Sequence, residues 1–382
     1  MKERVLLFDM DGVLLEPSGY RKAVEATVNR LGQMMGLGPV YPGEDVIALF
    51  EAYGVIVEWD MVPLILAQAL EAWQADYPED PMPEAFAELK VWSAAHPARE
   101  MRIDYRKLLS VVSQAGGDGF YADKALVLSE TLFMTLGNTP LLKTLLKGTR
   151  SLENICTRTF QTYVLGSQFF SENYLLKAEF KTPAFLTLFD RPLIDQNHRL
   201  VLLERIQEGG CRAAVFTARP SAFAGTKPPI PISFSPEAEL GLACAGLNGL
   251  AFASTGLMNF LASRVSLPAS QLVKPFAGHA LAGFCRAVLG AGPGDEAFVR
   301  LLSGEPVEAL QDRTFSLFIF EDSQAGIKSA RAACQILNSL GIQTELTING
   351  ISQNPDKIKA LSAQGATLYP DINQALSVVL KK

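Results

Sequence analysis

The sequence is poor in the residues that build covalent and metal frameworks. Its 382 residues include five cysteines, Cys156, Cys211, Cys244, Cys285 and Cys334, scattered along the chain and odd in number. None forms a C-x-x-C pair, so neither a disulfide framework nor a structural zinc site is expected, and a reducing compartment fits better. The three histidines, His96, His198 and His279, lack metal-ligand spacing and are read as structural or surface residues. No run of about 20 apolar residues occurs, which argues against a membrane span. The first apolar run is cut by Asp9 after four residues, too short for the core of a secretion signal. The expectation is a soluble, cytoplasmic protein. Basic residues are not in excess either: 34 Lys and Arg stand against 40 Asp and Glu, for a net charge of −6. Nucleic acid is therefore a poor partner. A small anionic substrate stays open, because a local site can be positive on an acidic protein.

What is present is ample apolar material, 48% of the chain, enough for a sizeable core and for two domains or one domain with a large insertion. Val5-Leu6-Leu7-Phe8 reads as a short buried strand that ends in Asp9-Met10-Asp11-Gly12-Val13. The texture then changes. From about Arg21 to about Leu186 the pattern is mostly helical: Arg21 to Met35, Glu44 to Tyr53 and Met61 to Trp73, a break at 76–83, then stretches at about 84–95, 104–114, 121–135 and 151–165. The aromatics of this region, such as Tyr53, Trp59 and Trp73, are read as core.

Strand and helix alternate after about 187. Leu193 to Glu208 is a helix stopped by Gly209-Gly210. Arg212 to Thr217 is a strand, 224–236 a proline-rich loop, and Leu250 to Thr255 a further strand. Ser316 to Phe320 is a clear strand, Gln324 to Leu340 a helix, and Gln343 to Ile348 and Ala366 to Tyr369 are late strands. Such alternation predicts an α/β core with a Rossmann-like parallel sheet, built from residues 1–17 and 187–382. An all-helical cap, 18–186, is inserted after the first strand. A segment inserted there is placed over the strand ends where open α/β sheets bind ligands.

Four stretches at strand ends carry the chemistry. Asp9 and Asp11 lie two apart, which puts both carboxyls on one side of an extended backbone. Neighbouring buried carboxylates are costly, and a divalent cation with its preference for oxygen ligands relieves that cost. Thr217 ends the second strand before Ala218-Arg219-Pro220, where a hydroxyl and backbone N–H groups can hold a phosphate oxygen, or simply cap a helix. Lys274, in Leu272-Val273-Lys274-Pro275, precedes a helix over 276–289. It can neutralise a phosphate, or lie on the surface as most lysines do. Glu321-Asp322-Ser323-Gln324-Ala325-Gly326-Ile327 repeats the acidic strand end, although acids at a helix start also complement its dipole.

Taken together, D-x-D-G-V after a strand, a strand ending in Thr, a Lys-Pro and E-D-S-x-x-G-I after another strand resemble the haloacid dehalogenase superfamily. They occur in that family's order over the core, 1–17 and 187–382. The last motif is most similar to the branch of sugar-phosphate phosphatases and phosphoglucomutases. The 47 residues from Lys274 to Glu321 are more than the resemblance leads one to expect. The resemblance implies Asp9 as a nucleophile that forms an aspartyl-phosphate, and Mg²⁺ held by Asp9, the carbonyl of Asp11, Asp322 and Glu321, the last directly or through water. It implies Thr217 and Lys274 as phosphate ligands, with Arg219 adding a phosphate or substrate contact. Asp11 would be the general acid and then the base. For that it must arrive protonated, which neighbouring negative charge favours. The expected activity is hydrolysis of a small phosphorylated metabolite. A phosphomutase would use the same intermediate, and a non-catalytic ligand-binding protein or a dehalogenase would share the fold.

Overall fold

Val5, Leu6, Leu7 and Phe8 are fully buried in the central strand of a six-stranded sheet. The computed structural model describes residues 2–99, 101, 103–116, 119–222 and 227–381. The strands are β1 (Glu3–Phe8), β2 (Leu15–Glu16), β3 (Arg191–Pro192), β4 (Arg212–Phe216), β5 (Ala251–Ala253), β6 (Thr314–Glu321), β7 (Gln343–Ile351) and β8 (Thr367–Tyr369). The large sheet has the order β5-β4-β1-β6-β7-β8, and every pairing in it is parallel. The chain runs from β1 outward through β4 and β5, then returns to the other side of β1. The direction of winding thus reverses between β1 and β6, where open α/β sheets leave a crevice beyond the strand ends.

Strand periodicity divides the core in two. Val5, Leu7, Ala214, Phe216, Leu317 and Ile319 face one helical layer, with Leu281 and Phe284 of the helix Gly278–Leu289. Leu6, Phe8, Ala213, Val215 and Phe320 face the other layer, with Leu202 and Leu376. Side chains two apart point the same way, so the continuous apolar run of β1 supplies both layers. Each buried Leu or Phe contributes about 1.5–3 kcal/mol over its exposed state.

The chain divides into two compact units: Met1–Ser18 with Phe189–Lys382, and Gly19–Leu188. The first is the α/β core and the second is helical. The small antiparallel pair β2 and β3 lies in the first unit, at the chain's exit and return. Nothing in the sequence signals it, since two residues per strand show no periodicity.

Within the helical unit the long helices are Ser18–Met35, Glu44–Ala52, Glu58–Ala75, Tyr105–Gln114 and Ile155–Tyr174. Trp73 is fully buried. Asp60, 1% exposed, pairs with Arg150 at 2.8 Å and accepts from the Ala122 backbone N–H. Several expectations need correction. The stretch 84–95 holds only the short turns Phe86–Glu88 and Leu89–Trp92. The stretch 121–135 splits into Tyr121–Val127 and Ser129–Leu132. The helix expected over 151–165 starts at Ile155, because Asn154 caps it, and runs on past a break at Gly166. There a side chain would run into the backbone of Ala184.

In the core, Asp195 caps the helix Gln196–Gln207 and so delays its start from 193. The strand expected over 250–255 is only Ala251–Ala253, since Ser254 already caps the helix Thr255–Val265. Part of the expected loop 224–236, residues 224–226, lies outside the described residues; Ile232–Phe234 forms a 3-10 turn. The long span between Lys274 and Glu321 is filled by two helices, Gly278–Leu289 and Ala291–Leu302. Arg286 ties them together, bonding Asp295 through two nitrogens at 2.6 and 2.9 Å and the Phe252 carbonyl at 2.9 Å. Among the described residues no helix is long and apolar enough to cross a membrane.

Candidate active site

Asp9 is the first residue beyond β1, and its backbone N–H still bonds the Phe320 carbonyl at 2.9 Å. That bond aligns the ends of β1 and β6. Phe8 and Phe320 stack across the pair with ring centroids 4.6 Å apart, which fixes Asp9 beside Glu321 and Asp322. The turn after Asp9 depends on Gly12, at φ +80°, whose N–H bonds the Leu15 carbonyl at 2.7 Å. A Cβ at Gly12 would collide with the Asp322 carboxylate, so this glycine provides both the turn and the space for the second acidic motif.

Carboxylate oxygens of Asp9, Glu321 and Asp322 lie within 4.8 Å of one another. Lys274 joins them, with Nζ 2.8 Å from Asp9 Oδ1 and 2.6 Å from Glu321 Oε1. Its ammonium also lies 4.1 Å from the centre of the Phe216 ring. The Lys274 backbone N–H donates to His279 Nδ1 at 3.2 Å, so His279 is structural, as expected, and serves the lysine loop. Glu321 is fully buried and both its oxygens are engaged: Oε1 by Lys274, and Oε2 by the N–H and hydroxyl of Ser323 at 2.8 and 2.9 Å. Gly326 leaves the space this carboxylate occupies, since a Cβ there would overlap Glu321 Oε1. Asp322 Oδ2 pairs with Lys357, a partner that no motif in the sequence singles out.

No protein-family model matches the chain, and no curated protein matches it. A solved structure shares its fold. That X-ray structure, of a Northeast Structural Genomics Consortium target, aligns with 99% of this chain and 98% of its own at a TM-score of 0.65 and 17% identity. Another, phosphatase Tt82 from Thermococcus thioreducens, aligns with 94% of this chain and 99% of its own at a TM-score of 0.45 and 13% identity.

The charge balance of the acidic cluster is strained. Burial and the neighbouring Glu321 push the Asp9 carboxyl up to about 7, although Lys274 pulls the other way. Burial and Asp9 also raise Asp322, against Lys357. Burial disfavours the Lys274 ammonium, but Asp9 and Glu321 outweigh it and hold the lysine charged. Hard oxygen donors at this separation suit a cation such as Mg²⁺. Asp9 and Asp322 would hold it. Glu321 is already committed to Lys274 and Ser323.

Thr217 lies just past β4, fully buried, with its N–H on the Ala253 carbonyl at 2.9 Å and its hydroxyl accepting from the Arg219 N–H at 3.1 Å. Arg219, expected to contact phosphate, is committed elsewhere. Its guanidinium is bound to the carboxylates of Asp11 and Asp190, and its side chain is 1% exposed. Asp11, for which neighbouring negative charge was expected, has a cation as its partner, the Arg219 guanidinium. Asp190 was missed, because an acid after a helix, 179 residues from Asp11, carries no signal in the sequence.

Proposed function

We propose that the protein is a Mg²⁺-dependent phosphatase that hydrolyses a small phosphorylated metabolite. The observation that carries this reading is the convergence of Asp9, Glu321, Asp322 and Lys274 at the carboxyl ends of β1 and β6.

A carboxylate oxygen of Asp9 attacks phosphorus, the bond from phosphorus to the substrate oxygen breaks, and an aspartyl-phosphate forms. Asp11 gives its proton to the departing alkoxide. Water then attacks the same phosphorus, Asp11 takes its proton, and phosphate leaves as Asp9 is regenerated. Mg²⁺, bound by Asp9 and Asp322, would supply charge neutralisation for a carboxylate approaching a phosphate dianion. Lys274 holds a phosphoryl oxygen while Glu321 and His279 hold Lys274, and Thr217 shapes the loop after β4 by accepting from the Arg219 N–H. Preorganised positive charge of this kind is often the largest single contribution to such a step.

The test is a screen of phosphorylated metabolites for phosphate release with Mg²⁺ and with a chelator, on wild type and Asp9→Asn. Release that needs both the metal and Asp9 is expected. Turnover that survives chelation rules out the metal-assisted scheme.

A further inference from the structure

Asp11 sits on a turn with its side chain 32% exposed, yet its carboxylate is gripped from behind. Arg219 Nε lies 3.0 and 3.1 Å from the two Asp11 oxygens, and Nη2 lies 2.5 Å from Oδ1. The same Nη2 bonds Asp190 Oδ2 at 2.7 Å. Asp190 and Arg219 have almost wholly buried side chains, at 0% and 1% exposed. Gly241 leaves room first for the Met10 side chain, which a Cβ there would overlap, and then for the guanidinium, whose Nη1 would stand 3.2 Å away. The Arg219 backbone is pinned on both sides, its N–H to Thr217 Oγ1 at 3.1 Å and its carbonyl to the Thr255 N–H at 3.2 Å.

We propose that Arg219 and Asp190 are positioning residues for Asp11, with Arg219 fixing the carboxylate and Asp190 fixing Arg219. The proposal rests on the phosphatase reading, in which Asp11 transfers the proton. A planar guanidinium that contacts both carboxylate oxygens sets the plane of the acid as well as its place. Proton transfer needs that accuracy, because the donor must lie within hydrogen-bond reach of the leaving oxygen. A side chain that met phosphate directly would face the open site. This one is buried, and two carboxylates claim it.

The backbone supports the same arrangement. Asp190 directly precedes β3, whose partner β2 follows Asp11 within four residues. Leu193 N–H bonds the Leu14 carbonyl at 2.8 Å, and Asp11 itself bridges to Leu15. The acid and its indirect support therefore belong to one hydrogen-bonded patch at the chain's exit and return.

The experiment measures kcat and KM of wild type, Asp190→Asn, Arg219→Lys and Arg219→Ala, with Mg²⁺, on p-nitrophenyl phosphate and on an alkyl phosphate. A good leaving group needs little protonation. The variants should therefore lose about tenfold or more in kcat on the alkyl ester, within the range expected of general acid catalysis, and much less on the nitrophenyl ester. KM should not change. Added guanidinium should restore part of the Arg219→Ala loss, and Asp190→Asn should cost little once Asp11 is already Asn. A rise in KM with equal losses on both esters would make Arg219 a phosphate contact and overturn the proposal, as would independent losses from Asp190→Asn and Asp11→Asn. If wild type turns over neither ester, the phosphatase reading fails and the proposal falls with it. If wild type is active and the variants match it, only the proposal fails.

Discussion

Lys274 Nζ lies 2.6 Å from Glu321 Oε1, across 47 residues of chain, and the carboxylate it meets is fully buried. The contact joins the loop before the helix Gly278–Leu289 to the last residue of β6. A buried charge persists only when paired and hydrogen-bonded. Lys274 and Glu321 therefore depend on each other, and the Asp9 carboxylate depends on Lys274.

Lys274→Met should leave Glu321 and Asp9 as buried acids without their cation. Removing one partner of a buried pair costs about 3–5 kcal/mol. Urea unfolding at pH 7 should show a loss of that order. The double variant Lys274→Met with Glu321→Gln should recover part of it. Stability equal to wild type in the single variant would show that the pair is not mutually dependent.

Asp9 gives the metal-free protein a pH dependence of definite sign. Its carboxyl is raised from 3.8 to about 7 on folding. The folded state thus holds this proton more tightly than the unfolded chain. The resulting stability is full below about pH 4 and is lost as pH rises through about 7. In chelator, wild type should lose more stability between pH 4 and pH 7 than Asp9→Asn does, by a few kcal/mol. Mg²⁺ should reduce that difference, because the cation favours the carboxylate. Parallel urea midpoints for the two proteins in chelator would refute the raised value.

Gly326→Ala sets two effects against each other. Within a helix, alanine is favoured over glycine by about 1 kcal/mol. Here the added Cβ overlaps the Glu321 carboxylate, and forcing extra atoms into a packed site costs about 1–3 kcal/mol. The net result should be destabilisation, with activity lost as Glu321 is driven off Lys274. A higher melting temperature in the variant would show that Glu321 has room to move.

Lys357→Gln should tighten metal binding. The Lys357 ammonium pairs with Asp322, one of the two acids assigned to the cation, but its side chain is 53% exposed. An exposed pair is worth about 0–1 kcal/mol, so the gain should be no more than severalfold. Titration calorimetry with Mg²⁺ on the two proteins measures it directly. Weaker binding in the variant would mean that Lys357 supports the cation and does not compete with it.

The central strand and its acids were legible because their signal is local. Val5 to Phe8 is an uninterrupted apolar run that only a strand buried on both faces needs, and the acids that follow have no apolar partner. The second acidic end was legible for the same reason, as was Lys274 before its proline. Local signals failed where a turn or cap overrode periodicity, as Asn154 and Asp195 did at helix starts. They failed as well for β2 and β3, which are too short to have a period.

The sequence by itself determined which residues carry charge at strand ends, and in what order, since side-chain chemistry and apolar runs are properties of neighbours in the chain. Only the tertiary structure decided how those charges are shared: Glu321 to Lys274, Asp322 to Lys357, and Arg219 to Asp11 and Asp190. A buried charge takes whatever counter-charge the packing brings within about 3 Å, where the interaction outweighs desolvation. In this protein the fold brings together partners 29 to 208 residues apart.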